Sequence, residues 1–249
     1  MASEQENRPE RVKAMQWFLH DAYIDYVAAR VLLLSGLLKQ AAVLSSTAIE
    51  KCAKAVLAMR GNPVRRQHLK ASHWSALEKE ENFGDKLNHD FVELNQSVYR
   101  LRYSDNLPIG FNIVIASREF LAELDYSLLT ILSCYKFALS GSWRPSGYES
   151  GIRNQDKNLL AENYLLSRES ADTFIRARPQ FVYEVRRHAL GLFEATYVTE
   201  MPAKIDGFGR QGLRVANGFN GPFETSHFPM SGSFLLLVDG LEMFGSEKW

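Results

Sequence analysis

The amino-acid sequence predicts a mainly α protein, with an antiparallel helical bundle followed by a smaller mixed extension that contains β-strands. Two observations point to this fold class. Apolar residues recur at helical spacing through residues 1–140, a region with only four glycines. The other 12 of the 16 glycines and five of the eight prolines lie from Gly141 onward, where they disfavour long helices. We therefore divide the chain into a bundle at 1–140 and a glycine-rich extension of unknown type at 141–249.

Two long helices are predicted to open the bundle, the first from about residue 11 to 34 and the second from about 38 to 59. One face of the first helix carries Trp17, Ile24, Ala28 and Val31. A seam of mainly small residues follows one side of the second helix, which allows a neighbouring helix to come close. The seam residues are Ala41, Ser45, Ala48, Cys52, Ala55 and Met59.

Three further helices complete the predicted bundle. A short third helix begins near Ser72, a fourth begins after Asp85, and a fifth runs from about residue 117 to 139. Serine and aspartate are favoured helix caps. The connections are short, which favours antiparallel neighbours. The fourth helix carries the apolar residues Phe91, Leu94, Val98 and Leu101.

The extension contains three candidate strands. "QFVYEVR" at 180–186 and "LFEATYVT" at 192–199 alternate polar and apolar residues and are rich in β-branched and aromatic types, which predicts a hairpin. A helix beginning at Pro179 also fits the first segment, and we favour the strands. "SFLLLVD" at 233–239 is typical of a buried strand.

Charge and composition narrow the function classes. Lys plus Arg and Asp plus Glu number 29 each, so a neutral chain has no long-range field to attract nucleic acid, and any such contact needs a local basic patch. No apolar run is long enough to span a membrane. The acidic start and two cysteines inside helical patterns favour the cytoplasm.

Two segments concentrate polar side chains. "YRLRYSDN" at 99–106 places two arginines, two tyrosines and an aspartate at a helix end, where arginine also favours the helix dipole without any functional role. The loop "RGNPVRRQHLK" at 60–70 is the best local basic patch for phosphates, although we favour its interpretation as a solvated turn between helices. Its basic residues are Arg60, Arg65, Arg66, His68 and Lys70.

Three segments within about residues 17–139 resemble the HEPN family in order and spacing. They match its "A-x-E-K-x-x-K-A" helix, its His-x-x-x-Leu stretch and its Arg-Tyr-x-Asp segment. The matching residues are Ala48, Glu50, Lys51, Lys54, Ala55, His73, Leu77, Arg102, Tyr103 and Asp105. The resemblance implies a helical bundle that often forms a homodimer, binds nucleotides or RNA, and acts in defence or toxin–antitoxin systems beside a protein partner such as an antitoxin.

Active HEPN members are metal-independent ribonucleases that use an arginine followed, after a short gap, by a histidine. No histidine follows Arg102 at that spacing, and the next one along the chain is His188. We therefore predict a nucleotide- or RNA-binding or interaction module that does not cleave, without cofactor or metal. A ribonuclease with a rearranged site, including an Arg66–His73 pair, and a dimerising scaffold are the alternatives.

The predicted nucleotide or RNA site combines the matched residues with one arginine of the basic loop. Its members are Glu50, Lys54, Arg66, His73, Arg102, Tyr103 and Asp105. Glu50 and Lys54 also fit an ordinary pair of neighbours on one helix face, because they are four residues apart. They join a functional site only if the bundle brings them to face Arg102.

Overall fold

The computed structural model of the protein describes residues 8–61, 67–69, 73–74, 77, 86–133, 137–139, 142–188, 191–198, 214–216, 234–238 and 241–244. The fold is mainly α, with a helical N-terminal region and an antiparallel sheet that is formed largely by the C-terminal part. This architecture confirms the predicted fold class.

The elements alternate between long helices, short helices and strands. The helices are α1 Arg8–Leu34, α2 Leu38–Met59, α3 His89–Val98, α4 Ser117–Ser133, α5 Gly147–Arg153, α6 Lys157–Leu160, α7 Tyr164–Ser167 and α8 Ala171–Arg176. Two 3-10 turns span Tyr99–Arg102 and Ser104–Asn106. The strands are β1 Asn112–Ala116, β2 Phe137–Leu139, β3 Ser142–Arg144, β4 Phe181–His188, β5 Gly191–Val198, β6 Arg214–Ala216, β7 Phe234–Val238 and β8 Leu241–Phe244.

Helices α1 and α2 form a tight helical hairpin. Gly36 takes a φ of +77° in the turn between them, a conformation that glycine adopts without a steric penalty. Trp17 and Ile24, on the face that the sequence singles out, are 62% and 52% exposed. The hairpin instead buries another face of α1, whose core residues are Ala22, Tyr26, Ala29 and Leu33. Helical spacing alone fits both faces.

Helix α3 packs against the buried seam of α2 and leads directly into the 3-10 turn at 99–102. The Ser45 hydroxyl donates to the Asn95 side chain at 2.7 Å, and both residues are buried, so this bond holds the two helices together. Asn88 caps α3 through the backbone amides of Asp90 and Phe91, and so the helix begins later than the predicted Asp85 cap implies.

Helix α4 ends earlier than predicted, at Ser133, and Phe137–Leu139 pairs with Ser142–Arg144 as a two-stranded ribbon. Helix α5 begins soon after the predicted boundary, and Ser146 and Glu149 form a capping box at its start. The boundary at residue 140 stays a prediction.

The main sheet has six strands in the order β6-β1-β4-β5-β7-β8, and every neighbouring pair is antiparallel. The predicted hairpin and the predicted strand near residue 236 are confirmed as β4, β5 and β7. Strand β1, from the helical half, pairs with β4 and aligns Ile113 with Val185. Strand β1 was not predicted from the sequence, because its nearly continuous burial gives no alternating pattern.

A buried charged cluster ties α1 to α4 and to the chain around α6. The Arg30 guanidinium donates to both oxygens of Asp125 and to the backbone carbonyls of Asn158 and Ala161. Tyr26 donates to the same carboxylate at 2.8 Å. Arg30, Asp125 and Tyr26 are completely buried, so the bonds among these three side chains are shielded from water.

Candidate functional site

Arg102 ends the 3-10 turn that follows α3, and its side chain is exposed. The guanidinium lies over two tyrosine rings, 5.1 Å from the centroid of Tyr99 and 5.6 Å from that of Tyr103. One of its nitrogens also donates to the Tyr99 hydroxyl. Cation–π contacts and this hydrogen bond together fix the position of the charge.

His68 comes from the connection between α2 and α3 and reaches the same tyrosine. Its Nε2 atom lies 2.9 Å from the Tyr99 hydroxyl, and the two ring centroids are 4.6 Å apart. The His68 side chain remains 63% exposed. Tyr99 therefore joins a loop histidine to Arg102.

Two charged side chains of α2 complete the cluster. Glu50 lies 3.0 Å from Nδ1 of His68 and 2.6 Å from the Lys54 ammonium. The side chains of Lys54 and Glu50 are only 11% and 16% exposed, which shields their ion pair from solvent. Helix α2 thus anchors the inner end of a polar chain that runs outward to Arg102.

The contacts form one continuous path of hydrogen-bonding groups. The Glu50 carboxylate accepts from Lys54 and lies within hydrogen-bond distance of Nδ1 of His68, and Nε2 of the same ring lies within hydrogen-bond distance of the Tyr99 hydroxyl. The Tyr99 oxygen in turn accepts from Arg102. We name these five residues, Lys54, Glu50, His68, Tyr99 and Arg102, the Arg102 cluster.

The outer end of the Arg102 cluster is suited to an anion. Within the part of the chain that the structure describes, no carboxylate forms an ion pair with Arg102, whereas Glu50 already neutralises Lys54. A guanidinium presents a fork of N–H donors that matches phosphate oxygens. The arrangement can therefore bind a phosphate at Arg102 rather than at Lys54.

The structure brings some predicted site residues together and leaves others apart. Glu50, Lys54 and Arg102 share the Arg102 cluster, and Tyr103 flanks it. Asp105 is exposed in the following 3-10 turn. His73 is partly buried. Arg66 lies outside the described residues.

Sequence reasoning missed two members of the Arg102 cluster, His68 and Tyr99. Tyr99 and Arg102 are three residues apart, so local spacing already places them on one side of a helical turn. His68 had only the weaker signal of the basic loop. Its partners Glu50 and Tyr99 are 18 and 31 positions away, and no local pattern connects positions so distant.

Other chemistry-bearing residues favour a structural role. Cys52 is fully buried in the seam of α2, and burial raises the pKa of its thiol to about 12, so the reactive thiolate is scarce. Among the residues that the structure describes, no three His, Cys, Asp or Glu side chains form a group able to hold a metal ion. In the same residues, no helix is both long and apolar enough to cross a membrane.

A family comparison identifies the region that carries this geometry. The model of the HEPN domain matches residues 15–124. This segment is similar to the HEPN domain. The match runs from α1 through α3 and β1 into α4, so it contains the whole Arg102 cluster. It confirms the resemblance drawn from the three short segments.

The extension lies beyond the HEPN domain match. No curated protein and no solved structure gives a significant match to the chain. The Arg102 cluster therefore lies in the part of the chain that matches a known family.

Proposed function

We propose that the HEPN domain binds nucleotides or RNA, holds a phosphate group at Arg102, and does not cleave its ligand. The observation that carries this proposal is the exposed Arg102 guanidinium, which two tyrosine rings position and no described carboxylate neutralises. An arginine that is held in place but forms no ion pair presents N–H donors that match phosphate oxygens.

The rest of the predicted site surrounds this phosphate position. Glu50 orients His68, and Lys54 balances the Glu50 charge, so both α2 residues act on the ligand through their neighbours. Tyr103 and Asp105 follow Arg102 in the sequence, and both are exposed. Arg66 and His73 belong to the proposed site through the sequence match and the basic loop.

Fluorescence anisotropy with labelled RNA and competing nucleotides tests the proposal. Arg102→Ala removes one phosphate contact, so RNA affinity should fall about tenfold and the salt dependence of log K should drop by about one. Arg176→Ala is the matched control, because Arg176 is exposed and pairs with Asp172 on the remote helix α8. Equal RNA binding by wild type and Arg102→Ala removes Arg102 from the site.

The second candidate is a metal-independent ribonuclease with a rearranged site, and the Glu50–His68 contact favours it. RNA cleavage without a metal needs a group that moves protons and a donor that stabilises the charged phosphorane. His68 supplies an oriented imidazole from the α2–α3 connection, and Arg102 supplies the donor. The histidine absent after Arg102 in sequence thus has a counterpart in space.

Incubation of purified protein with RNA and a chelator separates the two candidates. The ribonuclease predicts cleavage that survives the chelator and is lost in His68→Ala, while His20→Ala, which changes an exposed histidine on α1, retains it. Intact RNA bound by the wild-type protein supports the non-cleaving module instead.

We also propose that the HEPN domain forms a homodimer in the cytoplasm and works in a defence or toxin–antitoxin system beside a partner such as an antitoxin. The family match supports this role. Sedimentation across a dilution series tests the dimer, and a concentration-independent monomer would contradict it.

A further inference from the structure

We propose that the ligand of the Arg102 cluster is single-stranded RNA, with an unpaired base stacked on Tyr103 and the adjacent phosphate held by Arg102. This inference rests on the proposed function and names its ligand class. It is drawn from the planar side chains at the surface beside Arg102.

Four planar side chains form a strip at this surface. His68 lies against Tyr99, the guanidinium of Arg102 lies over Tyr99, and the same guanidinium lies over Tyr103. Their order is therefore His68, Tyr99, Arg102 and Tyr103. The strip therefore places one positive charge between aromatic rings.

The two ends of the strip are open to solvent. Tyr103 is 57% exposed, and the His68 side chain is 63% exposed. A large exposed aromatic residue contributes little to a folded core, and a guanidinium can cover only one face of a ring. Tyr103 therefore retains ring surface for a planar ligand group.

Unpaired nucleotides match this strip better than a duplex does. Aromatic side chains stack on bases whose faces are free, and arginine contacts the backbone between them. In a duplex, the base faces are already stacked on one another, so only the phosphates remain available to Arg102. A mononucleotide offers one base and cannot occupy both ends of the strip.

Anisotropy measurements compare a short labelled RNA without secondary structure with the same strand annealed to its complement. The wild-type protein should bind the single strand about fivefold or more tightly than the duplex. Tyr103→Ala should weaken single-strand binding about five- to tenfold. It should leave duplex binding nearly unchanged, because it removes a stacking surface and no charge, and Tyr99 still holds Arg102 through its ring and its hydroxyl.

Two controls isolate stacking. Tyr103→Phe keeps the ring and should bind within about twofold of wild type. Tyr126→Ala alters a tyrosine on α4 that is 38% exposed, and it should have no effect.

Equal affinity of the wild-type protein for both RNA forms would overturn the inference. So would single-strand binding that Tyr103→Ala leaves unchanged. If Arg102→Ala still weakens binding in that case, the phosphate site survives and only the stacking claim fails. If Arg102→Ala has no effect either, the proposed function fails with it.

Discussion

Arg30 and Arg102 both contact a tyrosine, yet their surroundings differ in almost every other respect. Arg30 is completely buried, and its guanidinium donates to one carboxylate and two backbone carbonyls. Arg102 is exposed, donates to one tyrosine hydroxyl, and has no carboxylate partner among the described residues. The comparison separates an arginine whose donors are committed to the fold from one whose donors remain available for a ligand.

The buried cluster of Arg30, Asp125 and Tyr26 matters for stability, because a buried charge without a partner is costly. Burial raises the pKa of Asp125, and the Arg30 guanidinium and the Tyr26 hydroxyl oppose that rise. Removal of one partner leaves the other charge inside the protein without compensation. The outer members of the Arg102 cluster, His68 and Arg102, have no such dependence, because water solvates their side chains.

The largest expected effect breaks the buried cluster. Asp125→Ala should lower the free energy of unfolding by about 3–5 kcal/mol, because it leaves the Arg30 charge buried and unpaired. Urea denaturation measures the change. Asp172→Ala is the control, since it breaks an exposed ion pair with Arg176 and should cost less than about 1 kcal/mol. Equal losses in the two variants would contradict the assigned role of Asp125.

A second buried carboxylate on α4 sharpens the comparison, because it lacks a cation among the described residues. Glu123 is fully buried and accepts a 2.6 Å hydrogen bond from the Asn88 side chain. Burial raises its pKa from 4.5 to about 7, against the opposing effect of that bond. The folded protein therefore holds a proton on Glu123 at pH values where the unfolded chain has lost it.

The sign of the pH dependence follows from this shift. The folded protein favours the protonated form of Glu123. The contribution of Glu123 to stability is therefore greatest below about pH 4.5 and is lost as the pH rises to about 7. Glu123→Gln removes this loss, and its stability relative to wild type should improve by about 2–3 kcal/mol between pH 5 and pH 8. Urea denaturation at both pH values measures it. Glu93→Gln, an exposed change on α3, should show no comparable difference.

The smallest expected effect concerns the stability of the Arg102 cluster. Arg102→Ala should change the free energy of unfolding by no more than about 0.5 kcal/mol, because the side chain is exposed and its removal leaves no buried charge without a partner. Thermal denaturation measures this change beside the RNA-binding assay. A loss comparable to that of Asp125→Ala would assign Arg102 to the fold and remove the distinction between the two arginines.

Local signals explain which parts of the fold were predictable. Periodic apolar residues and the Gly61-Asn62-Pro63 breaker give α2 the same bounds in sequence and structure. Alternation identified the β4–β5 hairpin for the same reason. Strand β1 was not predictable, because its partner β4 lies about 70 residues further along the chain. Both faces of β1 are also largely buried, so its residues do not alternate between polar and apolar.

The candidate site also contains some contacts that were predictable from the sequence and others that were not. The spacing of Glu50 and Lys54, and that of Tyr99 and Arg102, was visible in the sequence, since neighbours three or four residues apart share a helical face. His68 joins these two pairs, because it contacts Glu50 on α2 and Tyr99 in the 3-10 turn after α3, and neither contact follows from local spacing.

The sequence by itself determined the long helices, the hairpin and the HEPN resemblance, because each depends on residues close together along the chain. Only the tertiary structure decided which face of α1 is buried, which arginine is neutralised, and that a loop histidine reaches Arg102. Those outcomes depend on distances between segments far apart in sequence, and such distances exist only once the chain has packed.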